Sequence, residues 1–486
     1  MSEHVLGPFP TPATYHPMVQ GLMNMIKRNK WEDKFEKAVS DAYNSGVEEM
    51  TNIKTLADYY NYLHYFLFWV PVENKNGTLA HKMISIMYYV LDQKSVRSLQ
   101  SPIKPSSYPP PPLTELSQWI VYFSCALGQF LNTPESLTEE SLRTFYDTES
   151  YTMSNYEAPR GGWHSFNDFF ARKLLPGARP IDSPSDPAVI VSPADSTFNG
   201  AWDINDDSIV VLKEIPWTIG ELLANSQYKD EFVGGIFMHS FLVPYNYHRV
   251  HAPIDGIVIE AKVIPGQAYC DVTVKKDAQG KMILRPSRKF LRKDELDVPD
   301  PPGYQFCQAR GLVIIDSPKV GKVAVLPVGM AQVSSVILST KVGGELKKGD
   351  EIGYFQFGGS DVCLVFQKRS KVEILAKDVW YGYFKKCWRC KESKALVQAN
   401  THQTTYELQE TRAKSKSYQS RKIYATSTSY QLQEVYSTPE YYSCQDVYST
   451  PTSSYSRDLY ITQNNYYSEE CYKTPSSRQT RTTGIT

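Results

Sequence analysis

The stretch KKGDEIGYFQFGGSDVCLVF, residues 347–366, decides how the rest of the chain is interpreted. A hydrophobic strand-like run leads to a Gly358-Gly359 break, and a second β-rich run follows Ser360. Glycines allow strained or positive-φ backbone, so a Gly-Ser bond at this break can expose its carbonyl carbon to attack. A GGS turn between two strands is more often an ordinary hairpin. The stretch therefore predicts strands and leaves the chemistry of Ser360 open.

The same β-rich texture extends back to about residue 188. Short runs rich in Val, Ile and Leu are separated by Gly, Pro and Asp, which is typical of strands joined by turns. We expect them to form a largely antiparallel, sandwich-like sheet. The runs are AVIVSP, SIVVLKEI, GIVIEAKVI, GLVIIDS, GKVAVLPVGM, SSVILSTKV and CLVFQ.

The first part of the chain has a helical pattern. Apolar residues recur at helical spacing from about residue 17 to 100, and helix signals continue to about 175. The run IKPSSYPPPPL at 103–113 cannot continue a helix, because proline lacks the amide donor. We predict an α+β protein with a helical N-terminal extension and Pro-rich linker (1–115), a mostly antiparallel domain (116–392) and a low-complexity tail (393–486).

The tail is dominated by Tyr, Ser, Thr and Gln, and the motif VYSTP occurs at 435–439 and again at 447–451. Such a segment has too few aliphatic residues to offset the entropy of ordering its backbone, so we expect disorder. A more specific hypothesis is that the tyrosine-rich tail is a docking segment. The alternative from a different functional class is an inactive protein that acts as an interaction partner through this tail.

Charge and targeting signals exclude several partners. The chain has 52 Lys plus Arg and 52 Asp plus Glu, so no overall field favours nucleic acid or an anionic membrane. Its N-terminus lacks a basic start followed by an apolar run, which favours a cytoplasmic protein. The apolar windows near residues 65 and 125 are shorter than the roughly 20 residues of a membrane-spanning helix, and we expect buried helices there.

Three short motifs together indicate proton-transfer chemistry. His248 and His251 lie three residues apart before a strand, and Asp195 follows an apolar strand in the motif VSPAD. A serine hydroxyl becomes a good nucleophile when a base removes its proton and a carboxylate orients that base, and Ser360, one histidine and Asp195 could supply this set. No matching ligand pair accompanies the histidines or the lone Cys387-Cys390 motif, so no metal is predicted. A serine hydrolase remains an alternative, without a GxSxG elbow to support it.

Five motifs carry a resemblance to a known family. SFNDFFARKLLPGARPI, VSPAD, FLVPYNYHRVHAPIDG, VGMAQVSSV and GDEIGYFQFGGS occur in this order across roughly residues 160–390. They resemble the successive signatures of the phosphatidylserine decarboxylase family. The helical N-terminal half more loosely resembles the extension of the soluble fungal branch that includes the L-tryptophan decarboxylase of psilocybin-type pathways.

The resemblance implies a role for each site residue. Ser360 would be the self-cleavage serine, Gly359 the new C-terminus of the larger β chain, and residues 360–486 the α chain. Ser360 itself would become a covalent pyruvoyl cofactor. His251 would act as base with Asp195 as its orienting acid, and His248 would donate a proton to the substrate. An exchange of the two histidine roles stays open.

The implied reaction is decarboxylation of an amine substrate through a Schiff base with the pyruvoyl group. The expected substrate is a free amino acid, with aromatic ones among the candidates, and phosphatidylserine is the alternative. Homodimerisation and peripheral membrane contact are further expectations at the level of the family. A membrane-docking face could be formed by Arg172, Lys173, Arg179, Phe166, Phe169 and Phe170, whose aromatic members could instead be core.

The chain departs from the family pattern in three places. The carboxylate motif continues with Ser196 where many members have glycine, and Asp361 follows Ser360 where phospholipid enzymes often have threonine. We expect Asp361 to cap a turn, with a charge beside the pyruvoyl carbon as the alternative. The connection at 287–303 is longer than usual, and we predict a lid or a solvated surface loop there.

Overall fold

The structure, a computed structural model, describes residues 7–105, 109–212, 215–277, 279–286, 304–331, 335–357, 359–374, 380–381 and 386–390. The described residues belong to one compact unit, Met1–Lys391. The predicted lid at 287–303 and the predicted disordered tail at 393–486 lie outside the described residues.

Helices dominate the first part of the described chain, as the apolar spacing predicts. A capping box marks the start of the helix Leu56–Leu67: the Thr55 side chain accepts a hydrogen bond from the Asp58 amide, and the Asp58 carboxylate accepts one from the Thr55 amide. The helices are α1 (Pro17–Arg28), α2 (Glu32–Asn44), α3 (Leu56–Leu67), α4 (Leu79–Leu91), α5 (Lys94–Arg97), α6 (Glu115–Leu131), α7 (Glu139–Tyr146), α8 (Phe166–Phe170) and α9 (Ile219–Leu222).

Strands dominate from residue 189 onward, and each pair of strands among the described residues is antiparallel. The predicted α+β class is therefore confirmed. The strands are β1 (Tyr156–Glu157), β2 (Lys173–Leu174), β3 (Val189–Val191), β4 (Ser196–Asp203), β5 (Ile209–Leu212), β6 (Ile215–Thr218), β7 (Ile236–Leu242), β8 (Arg249–His251), β9 (Gly256–Ile264), β10 (Val272–Lys276), β11 (Met282–Pro286), β12 (Arg310–Ser317), β13 (Gly321–Met330), β14 (Val336–Leu338), β15 (Glu345–Leu346), β16 (Glu351–Phe355), β17 (Gly359–Phe366), β18 (Val372–Ile374), β19 (Trp380–Tyr381) and β20 (Lys386–Cys390).

The main sheet has eight strands in the order β15-β9-β12-β13-β17-β7-β4-β19, so β17 lies in its interior between β13 and β7. Successive side chains of a strand point to opposite faces. Val362 packs in the core that includes the N-terminal helices, and Cys363 packs in a second core on the other face. By this alternation Ser360 faces the helical side, and Asp361 faces the opposite side.

The helical half covers one face of the sheet and shares its core. The buried carboxylate of Glu49 accepts a hydrogen bond from the Leu284 amide in β11, at 3.1 Å. The Trp69 ring, just after α3, lies 6.2 Å from the ring of Phe357, three residues before Ser360. The helices therefore form one wall of the region around the Gly359-Ser360 bond.

The two apolar windows near residues 65 and 125 form α3 and α6, and many of their side chains are buried. Within the part of the chain that the structure describes, no helix combines the length and the apolar character needed to cross a membrane.

A buried carboxyl group joins the end of α4 to the sheet region. Burial, and next the charge of Asp271, raise the pKa of Asp92 from 3.8 to about 8, against the opposing effects of Tyr269 and Arg97. Because the folded-state pKa lies above the unfolded value, the folded protein keeps a proton that the unfolded chain releases. The stability contributed by this proton is complete below the unfolded pKa and is lost as pH rises through the folded pKa.

We therefore expect Asp92→Asn to stabilise the protein at alkaline pH. Asparagine stays neutral at every pH. The melting temperature of the variant should therefore exceed that of the wild type by several degrees near about pH 9, and this difference should narrow near about pH 5. Thermal unfolding followed by circular dichroism at both pH values measures this. Asp203→Asn, at an exposed position, is the matched control. A gap that is equal at the two pH values would contradict the buried, protonated carboxyl.

Candidate active site

Ser360 lies at the start of β17, opposite Gly329 of β13 and Leu242 of β7. Its side chain is fully buried, and its Oγ has no hydrogen-bond partner among the described residues. Leaving a buried hydroxyl without a partner costs roughly 1–3 kcal/mol, so such a group needs an explanation. Ser360 directly follows Gly359, and the peptide bond between them is the candidate cleavage site from the sequence.

An aromatic wall surrounds the residues before this bond. It consists of Trp69, Phe166, Phe170 and Phe357, and the Phe357 ring lies 5.2 Å from Phe166 and 5.5 Å from Phe170. The Phe357 amide also donates to Oδ1 of Asn167, at 3.0 Å. The short helix α8 thus positions the chain that leads to Gly359.

His248 is held as a neutral base just before β8. Its ring is fully buried and lies 4.0 Å from the ring of Phe170. Nδ1 lies 2.8 Å from the Asn246 carbonyl, which can only accept, so Nδ1 carries the hydrogen and Nε2 keeps its lone pair. Burial, and next the charge of Arg172, lower the pKa of His248 from 6.5 to about 3. Nε2 has no partner among the described residues.

His251 is also held neutral, but both of its ring nitrogens have partners. Nδ1 lies 2.8 Å from the Gly349 carbonyl, and Nε2 lies 3.1 Å from the Tyr247 hydroxyl. The carbonyl fixes the hydrogen on Nδ1, so the tyrosine hydroxyl donates to Nε2. Burial is the main reason that the pKa of His251 is lowered to about 4. The Tyr247–His251 pair therefore contains a hydroxyl proton that Tyr247 could donate.

The SPAD turn reaches the histidine segment through the backbone. The His251 amide donates to the Pro193 carbonyl at 2.8 Å, which brings the turn between β3 and β4 beside β8. The buried carboxylate of Asp195 accepts two hydrogen bonds from Arg179, at 3.2 and 2.9 Å. Asp195 thus forms a bidentate ion pair with Arg179. Its role in orienting His251 stays a prediction.

The interpretation of Asp361 as a turn cap is wrong. Asp361 lies inside β17, is buried, and faces away from the side of the sheet that Ser360 faces. Its Oδ2 lies 3.4 Å from Nε2 of His239, a buried histidine of β7. The strand starts at Gly359, so position 361 already follows the alternation of the sheet.

The hypothesis of a docking face on the segment around α8 is also wrong for most of its members. Phe166, Phe169 and Phe170 are core residues. Arg172 is buried, and Arg179 binds Asp195. The three phenylalanines therefore belong to the core and not to a docking surface.

Comparison with known proteins gives the family. A family profile described as phosphatidylserine decarboxylase matches residues 166–379. The phosphatidylserine decarboxylase proenzyme of Fusobacterium nucleatum is 31% identical over 252 residues, which are 52% of this chain and 75% of that protein. This chain belongs to the phosphatidylserine decarboxylase family.

Two fungal relatives of the family differ in how much of their length is matched. The phosphatidylserine decarboxylase proenzyme 3 of Schizosaccharomyces pombe is 34% identical over 244 residues, 50% of this chain, and the match spans only 23% of that protein. The decarboxylase iboD of Amanita muscaria is 31% identical over 242 residues, which are 47% of this chain and 67% of that protein. The resemblance inferred from the motifs is thus confirmed at the level of the family.

The profile match spans the residues that the sequence analysis singled out, which are Asp195, His248, His251, Gly359 and Ser360. Their environment adds partners that sequence reasoning did not assign. These are Tyr247 for His251, Arg179 for Asp195, and Arg172 beside His248. Within the described part of the chain, no group of three or more His, Cys, Asp or Glu side chains is arranged to hold a metal ion.

Proposed function

We propose that this chain is a self-processing decarboxylase proenzyme that cleaves itself between Gly359 and Ser360 and converts residue 360 into a pyruvoyl group. The observation that carries the proposal is the buried Ser360 hydroxyl, which has no partner among the described residues and follows a glycine carbonyl. A pyruvoyl group is built from such a serine. Two neutral imidazoles in the same region supply the proton transfers, so the residues present fit this group.

The first step is attack of Ser360 Oγ on the Gly359 carbonyl carbon. His248 Nε2 has a free lone pair and takes the hydroxyl proton, which then passes to the departing amide nitrogen of residue 360. The carbon–nitrogen bond breaks and an ester forms in its place. A base with a pKa of about 3 keeps this lone pair at all physiological pH values and does not retain the proton.

The ester then breaks by β-elimination. Loss of the Cα proton of residue 360 releases Gly359 as a carboxylate and leaves a dehydroalanine. Water hydrolyses its imine tautomer and ammonia leaves, so the nitrogen of Ser360 is lost. The finished group supplies a carbonyl that can accept the electrons of a breaking carbon–carboxylate bond.

This proposal exchanges the histidine roles that the resemblance implies. The hydrogen bonds support the exchange: His248 Nε2 has no partner among the described residues, whereas His251 Nε2 accepts from Tyr247. The Tyr247–His251 pair then holds the proton for the substrate phase. Asp195 and Arg179 stabilise the turn whose Pro193 carbonyl fixes the His251 backbone.

The two product chains should stay together. Strands β7 and β13 belong to residues 1–359, whereas β17 lies between them and, apart from Gly359, belongs to the smaller chain. Cleavage after Gly359, the first residue of β17, leaves the pairing of residues 360–366 with both neighbouring strands in place. The α and β chains should therefore remain together as a noncovalent assembly. Homodimerisation and peripheral membrane contact stay predictions.

The proposed substrate is a free amino acid with an aromatic side chain. The aromatic wall supports this choice, because its rings offer surfaces on which an aromatic side chain can pack. The second candidate is the serine headgroup of phosphatidylserine, and the names of the relatives from Fusobacterium nucleatum and Schizosaccharomyces pombe support it.

Release of labelled carbon dioxide distinguishes the two candidates. Purified protein is incubated with carboxyl-labelled tryptophan, phenylalanine, tyrosine or serine, or with phosphatidylserine in mixed micelles. We expect an aromatic amino acid to react with a kcat/KM roughly 10- to 100-fold above that of serine or the lipid. The Ser360→Ala variant gives the background. Turnover of phosphatidylserine alone would reject the free amino acid and leave the proenzyme proposal intact.

A further inference from the structure

A buried histidine–aspartate pair lies on the face of the main sheet that is opposite to the face of Ser360. Nε2 of His239 in β7 lies 3.4 Å from Oδ2 of Asp361 in β17, and both side chains are almost fully buried. The core on this face is apolar and includes Phe306 and Cys363. Burying ionisable groups in such a core is costly unless they are paired, so the pair calls for an explanation.

Each member of this pair has only the other as a polar partner in the part of the chain that the structure describes. Neither ring nitrogen of His239 and neither carboxylate oxygen of Asp361 has a hydrogen bond to another described residue. The Phe306 ring packs against the imidazole, with ring centres 5.5 Å apart and planes at 70°. The contact therefore joins β7 and β17 at one defined place.

The pair runs diagonally between the two strands. Asp361 lies opposite Phe241, and His239 lies opposite Cys363, two positions further along the ladder. Diagonal neighbours on one face of an antiparallel pair are within reach of long side chains. The contact thus holds β17 at Asp361, which would be the second residue of the smaller chain after the proposed cleavage.

Cleavage changes how the start of β17 is held. Before it, residue 360 is bound to the chain on both sides, and afterwards it is the free end of a strand, where fraying concentrates. The Ser360 side chain gives little hold, because its Oγ has no partner among the described residues and the residue opposite on β13 is Gly329. The first directional side-chain contact of the smaller chain is therefore that of Asp361 with His239.

We propose that His239 and Asp361 are positioning residues that hold the free end of β17 after self-cleavage and so keep residue 360 in its place in the sheet. This inference rests on the proposed function, because the free end exists only if the chain is cut before residue 360. Both side chains lie on the face away from Ser360, so they act through the β17 backbone. The pair is then dispensable for cleavage, while Gly359 still holds the strand, and is needed for substrate turnover.

Three substitutions test the pair. Asp361→Val removes the carboxylate, and a β-branched side chain suits an interior strand. Asp361→Asn keeps an oxygen acceptor without the charge, so it should have a smaller effect. Cys363→Ala is the matched control, because it alters a buried side chain on the same face of the same strand and leaves both members of the pair in place. Each substitution is prepared in the wild type and in the Ser360→Ala chain, which stays uncleaved.

Hydrogen exchange of the amides of residues 361–366 is measured by mass spectrometry in the cleaved and uncleaved proteins. We expect Asp361→Val to accelerate exchange of the first of these amides roughly 10-fold or more in the cleaved protein, and by less than about threefold in the Ser360→Ala background. Asp361→Asn should lie between Asp361→Val and the wild type. Cys363→Ala should have the same effect in both backgrounds. A role in folding alone would accelerate exchange equally in cleaved and uncleaved protein.

Substrate turnover gives a second measurement, made with the carboxyl-labelled compound that the wild type decarboxylates. We expect Asp361→Val to cleave itself within about threefold of the wild-type rate, whereas its kcat falls roughly 10- to 100-fold, because a displacement of about 1 Å is enough for such a loss. The KM should change little, since the face that meets the substrate is not altered. The carbonyl group formed at residue 360, titrated with phenylhydrazine, should equal that of the wild type.

The outcomes separate this inference from the function on which it rests. If the wild type is cleaved but Asp361→Val exchanges equally fast in both backgrounds, or keeps the wild-type kcat, the positioning role is wrong and the proposed function stands. If the wild type is not cleaved, no free end forms and both fail together. If Asp361→Val does not fold, Asp361→Asn decides: faster exchange confined to the cleaved protein supports the inference, and equal exchange in both backgrounds overturns it.

Discussion

Replacing Ser360 with alanine is expected to abolish self-cleavage, leaving one chain of 486 residues where the wild type gives residues 1–359 and 360–486. Alanine removes the Oγ that attacks Gly359, and no other atom of residue 360 can form the ester. The loss should be complete on the time scale of purification. Denaturing electrophoresis and intact mass measure it, and a Ser360→Cys chain should still cleave because a thiol is also a nucleophile.

Ser240 provides a matched control for this experiment. It is also a buried serine whose hydroxyl has no partner among the described residues, and it lies on β7 opposite Val362 of β17. Ser240→Ala removes a comparable buried hydroxyl from the neighbouring strand. We expect it to cleave like the wild type. Loss of cleavage in both variants would indicate that the core, rather than the Ser360 nucleophile, controls the reaction.

Replacing His248 with alanine is expected to slow cleavage by about 10²- to 10⁴-fold, the usual contribution of a general base. The low pKa of this imidazole also predicts the pH dependence. The neutral form is the active one, and with a pKa of about 3 it persists throughout the physiological range. The wild-type rate should therefore stay level between about pH 5 and pH 8, instead of falling below an ordinary histidine pKa of about 6.5.

His251→Ala is the comparison for this variant, because His251 is also neutral but bound at both ring nitrogens. We expect it to keep most of the cleavage and to lose decarboxylation of the substrate. Pulse-chase translation measures cleavage, and carbon dioxide release measures turnover. Blocked cleavage in His251→Ala with wild-type cleavage in His248→Ala would restore the roles that the resemblance implies.

Much of the fold follows from the sequence because its signals are local. Helical spacing predicts the region of α1 to α8, and side-chain caps mark the start of α1, α3, α6, α7 and α8. Runs of β-branched residues separated by turn residues predict the sheet. The candidate residues Asp195, His248, His251 and Ser360 lie in the ordered motifs that carry the family resemblance, and their individual roles stay predictions. Their partners do not follow, because packing brings together residues that are far apart in the chain.

Arg172 and Asp361 show this limit most clearly. Arg172 reaches the Asn246 carbonyl, 74 positions away in the chain, and no residue-level pattern marks a backbone oxygen as the partner of an arginine. The same carbonyl sets the tautomer of His248, so the sequence alone could not assign the two histidine roles. The prediction of a turn at Asp361 failed because β17 already starts at Gly359, one residue before Ser360.

The most direct test of the central claim is the intact mass of freshly purified wild-type protein under denaturing conditions. We expect two chains, residues 1–359 and residues 360–486. The smaller chain should be blocked to Edman sequencing and lighter by one ammonia than simple hydrolysis would give. A single chain with the full mass, or a smaller chain that begins with a free serine amine, would contradict the conversion of Ser360 into a pyruvoyl group.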